Sequence, residues 1–213
     1  MSKTRLYLVR HGESLGNCRH ILLGHTDWDL SPLGYEQAEE CAAVLANIEF
    51  AAIYSSPLMR AYNTAIPNAK IRGADITVYP ELIEQSIGEW EARPSEEVAR
   101  NYKEIYDTVW KKHYSKFRAP GGESTEEVAN RIYSALEAIS KRHRGKNVLL
   151  CFHGAAIRAF FSKISGHDAE TSDNFFFPSN ASYTLVDYED GKFVPVSYSV
   201  DNHVKSKTYF VVK

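Results

Sequence analysis

The stretch Leu6-Tyr7-Leu8-Val9-Arg10-His11-Gly12-Glu13-Ser14 starts as a four-residue apolar run and breaks at once into charged and small residues. A short β-prone run with so abrupt an end reads as a buried strand whose polar loop begins at its carboxyl end. The same grammar recurs along the chain. Ala51-Ala52-Ile53-Tyr54 gives way to Ser55-Ser56-Pro57, Ile76-Thr77-Val78-Tyr79 leads toward Glu84, and the run 148–152 ends in His153-Gly154. Longer stretches with helical spacing lie between these runs. Ser31-Pro32 and Ser56-Pro57 read as N-cap and N1 pairs. The first opens a helix with Cys41, Val44, Leu45 and Ile48 on its apolar face. Ser124 and Glu127 form a capping box ahead of Val128, Ile132, Leu136 and Ile139. That helix closes on Lys141-Arg142-His143-Arg144-Gly145, cations in a last turn with Gly at C′, which reads as capping and not as a binding patch. A last helix turns Ile157, Phe160, Phe161 and Ile164 inward. Strands alternating with helices predict an α/β three-layer sandwich, a mainly parallel central sheet with helices on both faces. Beyond residue 180, alternating runs at 181–188 and 193–200 flank Glu189-Asp190-Gly191 and predict a hairpin.

The composition fits one such unit. The chain has 213 residues, 44% apolar and 24% charged; at about 150 residues per domain, this predicts a single domain over 1–213. Residues 88–122 fit the alternation least. Rich in charge and aromatics and closing on Pro120-Gly121-Gly122, they read as a lid insertion over the carboxyl ends of the strands. Twenty-five Lys and Arg against 27 Asp and Glu leave a formal charge of −2, so no nucleic-acid partner is expected. No apolar stretch approaches the ~18 residues that would span a bilayer. No secretory or lipidation signal is read, and the expected location is cytoplasmic. Cys18, Cys41 and Cys151 are odd in number and far apart, which argues against a disulfide framework or a structural zinc site and reads as mostly core thiols.

Open α/β sheets bind ligands at the carboxyl ends of their strands. Arg10-His11-Gly12-Glu13, Ser55-Ser56 with Arg60, Glu84, and His153-Gly154 all fall there. Two histidines, two arginines and a carboxylate suit phosphoryl transfer. A phosphate monoester carries about −1.5 to −2 charges at neutral pH, which forked guanidinium donors neutralise and orient. Arg60 stands in the first turn of a helix, whose N–H groups also favour an anion. A neutral imidazole can take the phosphoryl group, splitting one hard displacement into two. A carboxylic acid can then protonate the leaving alkoxide and, as carboxylate, activate water. Glu81, Glu89 and Glu91 are neighbours that compete with Glu84 for this part, and Asn17 could equally be a turn residue. His20 and His25 lie near the expected mouth, whereas His113, His143, His167 and His203 are read as surface or capping residues. Phe175-Phe176-Phe177-Pro178 reads as core in preference to pocket rim.

These residues carry a resemblance. Leu8-Val9-Arg10-His11-Gly12-Glu13-Ser14 with Asn17 resembles the signature of the histidine phosphatase superfamily, the phosphoglycerate mutase-like fold. Ser55-Ser56-Pro57-Leu58-Met59-Arg60-Ala61-Tyr62-Asn63-Thr64-Ala65 is similar to its second motif, 81–91 to its third and Phe152-His153-Gly154 to its last. The match runs from residue 5 to about 187. It implies His11 as the phosphorylated nucleophile and Glu84 as proton donor, with Arg10, Asn17, Arg60, His153 and the Gly154 amide forming the phosphate pocket. No metal and no cofactor are implied, and a homodimer is one assembly such relatives adopt. Ala92 stands where the phosphatase branch often carries Gly. Mutases place a small hydroxyl residue before the Gly matching Gly24, and Leu23 stands there instead; Leu23 and Gly24 are therefore candidate substrate contacts that favour the phosphatase branch. The expectation is a metal-independent phosphatase of a small phosphorylated metabolite, with determinants among Lys103, Lys111, Lys112, Arg118 and the lid aromatics. A primed phosphoglycerate mutase and a non-catalytic phospho-ligand binder are the alternatives. Asp27-Trp28-Asp29 mimics the motif of Mg²⁺-dependent aspartate phosphatases but follows no apolar strand, and Cys151 and Arg158 stand one position too far apart for a cysteine-phosphatase loop.

Overall fold

The structure, a computed structural model, describes residues 3–110, 116–166 and 176–205. Its sheet contains β1 (Thr4–Arg10), β3 (Ala52–Ser55), β4 (Ile76–Val78), β6 (Asn147–Phe152), β7 (Tyr183–Glu189) and β8 (Lys192–Val200), in the order β4-β3-β6-β1-β7-β8. The first four strands run parallel, and β7 and β8 close one edge antiparallel. The small strands β2 (Ile21–Leu22) and β5 (Arg93–Pro94) pair separately. The hairpin turn takes positive φ at Asp190 (50°) and Gly191 (80°), as a two-residue turn between twisted strands requires.

Strand period two explains the layers. Leu6 and Leu8 of β1 join Val148, Leu150 and Phe152 of β6 in one core, against α5 (Thr125–Arg142) and α6 (Gly154–Ile164). Tyr7 and Val9 join Leu149 and Cys151 in the other, against α2 (Pro32–Leu45) and α3 (Met59–Arg72). Both faces are covered, so β1 and β6 read as unbroken apolar runs and not as alternating ones.

Several local expectations shift. Val44 faces solvent, because α2 buries the stripe Ala38, Cys41, Ala42 and Leu45 and ends before Ile48. Ser56-Pro57 does not cap α3. The helix starts at Met59, whose N–H donates to Asp27 Oδ1 at 2.8 Å, a cap supplied from a distant loop. Ser124 and Glu127 do form the capping box of α5. That helix ends at His143, so Gly145 (φ 76°) takes the left-handed turn two residues past the cap.

In the 88–122 segment, Glu89 N–H donates to the Pro120 carbonyl at 3.0 Å, so its two ends are stitched together. The segment holds α4 (Ser95–Asn101), a π-helical turn at Ile105–Trp110, and a separate apolar cluster around fully buried Trp90. Phe117, Tyr102, Trp110 and Tyr106 surround that indole at centroid distances of 5.2, 5.7, 5.9 and 6.2 Å. Lys111, Lys112 and His113 lie outside the described residues, as do His167 and Phe175.

The lid docks through β5, where Ala92 N–H donates to the Leu22 carbonyl at 2.8 Å while Ala92 adopts φ 58°. A left-handed L-residue costs ~1–2 kcal/mol, more than the ~0.4–1 kcal/mol of unfolded-chain freedom that Gly adds back. Ala92→Gly is therefore expected to raise stability by about 0.5–1 kcal/mol, read as a higher urea midpoint at unchanged slope. A lower midpoint would show that Ala92 is not strained.

Candidate active site

The polar loop after β1 is held from three sides. His11 N–H donates to the Phe152 carbonyl at 3.0 Å, and the His11 carbonyl accepts from Asn180 Nδ2 at 3.0 Å. Glu13 Oε1 accepts from Ser31 Oγ at 2.6 Å, tying the loop to the first residue before α2. A Cβ on Gly34 would fall 2.0 Å from the Glu13 carbonyl oxygen, so only glycine allows α2 so close.

This packing fixes the His11 ring. Its Nδ1 lies 2.7 Å from the Gly12 carbonyl, an acceptor only. Nδ1 must therefore carry the proton, which leaves the Nε2 lone pair open. His153, brought alongside by β6, is wholly buried with ring centroids 5.3 Å apart, and its Nε2 pairs with Ser56 Oγ at 2.7 Å. It stands behind the wall that His11 lines.

Two guanidiniums flank the imidazoles. Arg60 is 1% exposed, and its Nη1 and Nη2 donate to the carbonyls of Thr26 and Gly24 at 2.9 and 2.8 Å. Arg10 Nη1 donates to the Pro178 carbonyl. The Nε of each arginine and Nδ1 of His153 are buried polar atoms without a hydrogen-bond partner. Arg10 and Arg60 both line the cavity, and a tetrahedral oxyanion is an acceptor that such forked donors fit. Burial lowers the Arg10 pKa to about 10, with Glu84 pulling the other way. Burial, and then the charges of Arg60 and Arg10, hold His11 well below 6.5. Burial, then Arg60, does the same for His153.

Glu84 lines the same cavity. Its Oε1 accepts from the Gln85 and Ala156 N–H groups at 2.9 and 3.0 Å, and its Oε2 from Ala155 N–H at 3.3 Å. It is thus the side-chain cap of α6 that His153, the N-cap residue, does not supply. Glu91, one of its rivals, is turned instead to Ser86 Oγ and Ile87 N–H, both at 3.2 Å. Asn17 closes a capping box on Ser14, and its Oδ1 also accepts from Asn180 at 3.2 Å; the turn reading and a place at the pocket both hold.

The cavity is about 710 Å³, and Arg10, His11, Asn17, Arg60, Glu84 and Gly154 line its charged end. Leu23 and Gly24 line it too, Leu23 packing on Gly16 and Gly24 presenting its carbonyl to Arg60. Tyr106 and Trp110 of the 88–122 segment line the cavity as well. Phe176, 63% exposed, is rim and not core, whereas Phe177 borders the cavity and also packs against the Trp90 cluster, its ring centroid 5.5 Å from that of Trp110. His25 Nε2 donates to the Glu84 carbonyl at 2.8 Å, whereas His20 is exposed, its N–H donating to the Asn17 carbonyl and its own carbonyl accepting from Ser95 N–H.

The rival nucleophiles have other work. Asp27 caps α3, and Asp29 accepts from Leu30 N–H, Tyr35 Oη and Asn63 Nδ2 at 2.6, 2.8 and 2.6 Å. Cys151 packs in the α2–α3 core with its thiol pushed well up by burial, while Arg158 lines the cavity. Ser56 as the partner of His153, and Asn180 as a brace of the loop, were not singled out from the sequence. Asn180 precedes β7, which pairs antiparallel with β1, so the start of β7 has to lie at the carboxyl end of β1. That topological signal was present in the strand pattern.

A family profile described as the histidine phosphatase superfamily (branch 1) matches residues 6–201. Phosphoserine phosphatase 1 of Hydrogenobacter thermophilus is 33% identical over 200 residues, covering 94% of this chain and 94% of that protein. The metal-independent phosphoserine phosphatase of Arabidopsis thaliana is 32% identical over 205 residues, covering 95% of this chain and 84% of its own. Among solved structures, Bacillus stearothermophilus YhfR superposes with a TM-score of 0.88 at 26% identity, over 95% of this chain and 100% of that one.

Both imidazoles are expected to remain neutral as the pH falls through 6.5 in phosphate-free buffer, with His11 as the Nδ1–H tautomer. Their folded-state pKa values are depressed, so the stability they contribute is present above 6.5 and lost as the pH falls toward the folded values. Long-range ¹H–¹⁵N correlation spectra read this directly; a doubly protonated His11 ring at pH 6.5 would show that burial and the two arginines do not hold it neutral.

Proposed function

The chain belongs to the histidine phosphatase superfamily (branch 1), and we propose that it hydrolyses a small phosphate monoester, without a metal ion, through a phosphohistidine on His11. The observation that carries this reading is the His11 ring itself: a neutral imidazole with Nδ1–H held by Gly12, and Nε2 open on a cavity that Arg10 and Arg60 also line.

The reaction has two steps. Arg10 and Arg60, with the Gly154 amide and Asn17, hold the phosphoryl oxygens. Nε2 of His11 attacks phosphorus, the P–O bond to the alcohol breaks, and Glu84 gives its proton to the departing alkoxide. As a carboxylate, Glu84 then takes a proton from water. The resulting hydroxide displaces His11 from phosphorus, releasing inorganic phosphate and restoring both groups. His153, neutral and buried behind His11, shapes the pocket and offers an Nδ1 without a partner in the protein.

Phosphatase activity is also what the names of the two relatives carry, and they favour an unactivated alkyl phosphate of the phosphoserine type. Leu23 speaks against the mutase reading. It presents a side chain without a donor at the cavity and is packed on Gly16, so no hydroxyl is available there for a phosphoglycerate carboxylate. A cytoplasmic enzyme acting on a free phosphorylated metabolite follows from the same reading, and Tyr106 and Trp110 of the lid are the side chains that would meet the leaving group.

The test is phosphate release from an aryl phosphate and from phosphoserine in excess EDTA. Wild-type protein is expected to be active under chelation, and His11→Ala to lose about 10³-fold or more. Activity retained in His11→Ala would remove the nucleophile. Silence of the wild type would move the reading to a primed mutase, which a phosphoglycerate assay with bisphosphate then checks.

A further inference from the structure

Arg131 lies on α5 and outside the four motifs, yet its guanidinium is turned to the loop that carries Glu84. Nη1 donates to the carbonyls of Glu81 and Ile83 at 2.7 and 2.9 Å, and Nη2 to the carbonyl of Glu84 at 3.2 Å. Nε and Nη2 also meet the two carboxylate oxygens of Glu123 at 3.1 and 2.9 Å. Glu123 extends the grip past Glu84: its Oε2 accepts from Ser86 N–H at 2.9 Å, and its carbonyl from Gln85 Nε2 at 2.9 Å. His25 Nε2 completes it by donating to the Glu84 carbonyl at 2.8 Å.

These contacts answer a specific need. Between the turn Pro80–Leu82 and the turn Gly88–Trp90 the chain belongs to no helix or strand. The carbonyls of Ile83 and Glu84 thus have no ladder to join, and without partners the segment would be free to move. One planar fork can satisfy three carbonyls and a carboxylate together, which the point charge of lysine cannot. The Glu84 carboxylate is in turn held on the opposite side by the Ala155 and Ala156 amides. Backbone and carboxyl group are therefore fixed independently, the first by α5 and the second by α6.

We infer that Arg131, held by Glu123, is a positioning residue for proton transfer: it sets where the Glu84 carboxyl group stands relative to the bond that breaks. The inference rests on the proton-donor role proposed for Glu84. Misplacing a catalytic group by an ångström costs about 10²-fold in rate, whereas a merely structural loss of these part-buried contacts would lower stability and act on every substrate alike.

A leaving group that needs no proton separates positioning from folding. First-turnover release of the alcohol is measured on para-nitrophenyl phosphate, whose phenolate departs unaided, and on an unactivated alkyl phosphate, phosphoserine or β-glycerol phosphate. Arg131→Gln and Glu84→Gln are each expected to slow the alkyl substrate by about 10²-fold and the aryl substrate by less than about 3-fold. Arg131→Lys should resemble Gln and not wild type. Glu123→Gln keeps the side chain's size and one acceptor oxygen, and serves should Arg131→Gln not fold; the same discrimination is expected at about 3–10-fold. Equal loss on both substrates, or none, in the Arg131 and Glu123 variants while Glu84→Gln discriminates would overturn the inference alone. Absence of discrimination in Glu84→Gln would overturn the role of Glu84 and the inference with it.

Discussion

The pairing of β1 with β6 is the constraint on which the site depends. The two strands run parallel with Arg10 opposite Phe152, so His11 and His153 leave the sheet as neighbours at the same end. Parallel neighbours cannot be joined by a hairpin; the chain must cross over between them. That crossover delivers β3 to the other side of β6, where the next residues bring Ser56 to His153 and Arg60 into the first turn of α3. A shift of one residue between β1 and β6 would exchange the two cores and carry His11 to the wrong side of the strand end. The unbroken apolar faces of both strands oppose that shift, so the packing that stabilises the sheet also sets the register of the candidate site.

The same arrangement concentrates positive charge in a place with little water. Burial works against the charged forms of Arg10 and Arg60, and Glu84 is the leading opposing influence on both. Two guanidiniums facing one carboxylate leave the site short of negative charge until an anion arrives. Burial first, and the two guanidinium charges second, hold both imidazoles neutral, as the proposed nucleophile requires, and the Nε of each arginine has no acceptor within the protein. Stability is set aside for readiness, as catalytic sites commonly do. A phosphate dianion corrects the imbalance, and its binding should stabilise the fold by mass action.

Sequence grammar read well where the partner of a residue is near in sequence. The strand runs, the capping box at Ser124 and Glu127, and the turn at Asp190-Gly191 are all local, and all are where the pattern put them. The site histidines and arginines were legible because strand ends are where charge has a use. Reading failed where a distant side chain decided the matter. Ser56-Pro57 has the form of a helix start, but Asp27 caps α3 and Ser56 is drawn to His153. Asp27-Trp28-Asp29 has the form of a catalytic pair, and its carboxylates hold a helix start and a side-chain network. Phe176 has core composition, yet it stands exposed at the cavity rim, because its place depends on where β7 joins β1.

Glu84 occupies the joint between two parts that follow different rules. Before it, the chain belongs to the sheet, which leaves little freedom because every strand end is fixed by its neighbours. After it, from Gly88, the chain belongs to the lid, whose aromatic cluster around Trp90 is separate from both sheet cores. A lid with its own core can change its cavity-facing residues without disturbing β1 or β6. On the proposed mechanism the proton donor cannot share that freedom, since its distance from His11 is part of the chemistry. Arg131 and the start of α6 both belong to the sheet-and-helix body, and they are what hold Glu84. Anchoring the donor to the body and not to the lid separates the geometry of phosphoryl transfer from the fit of the leaving group.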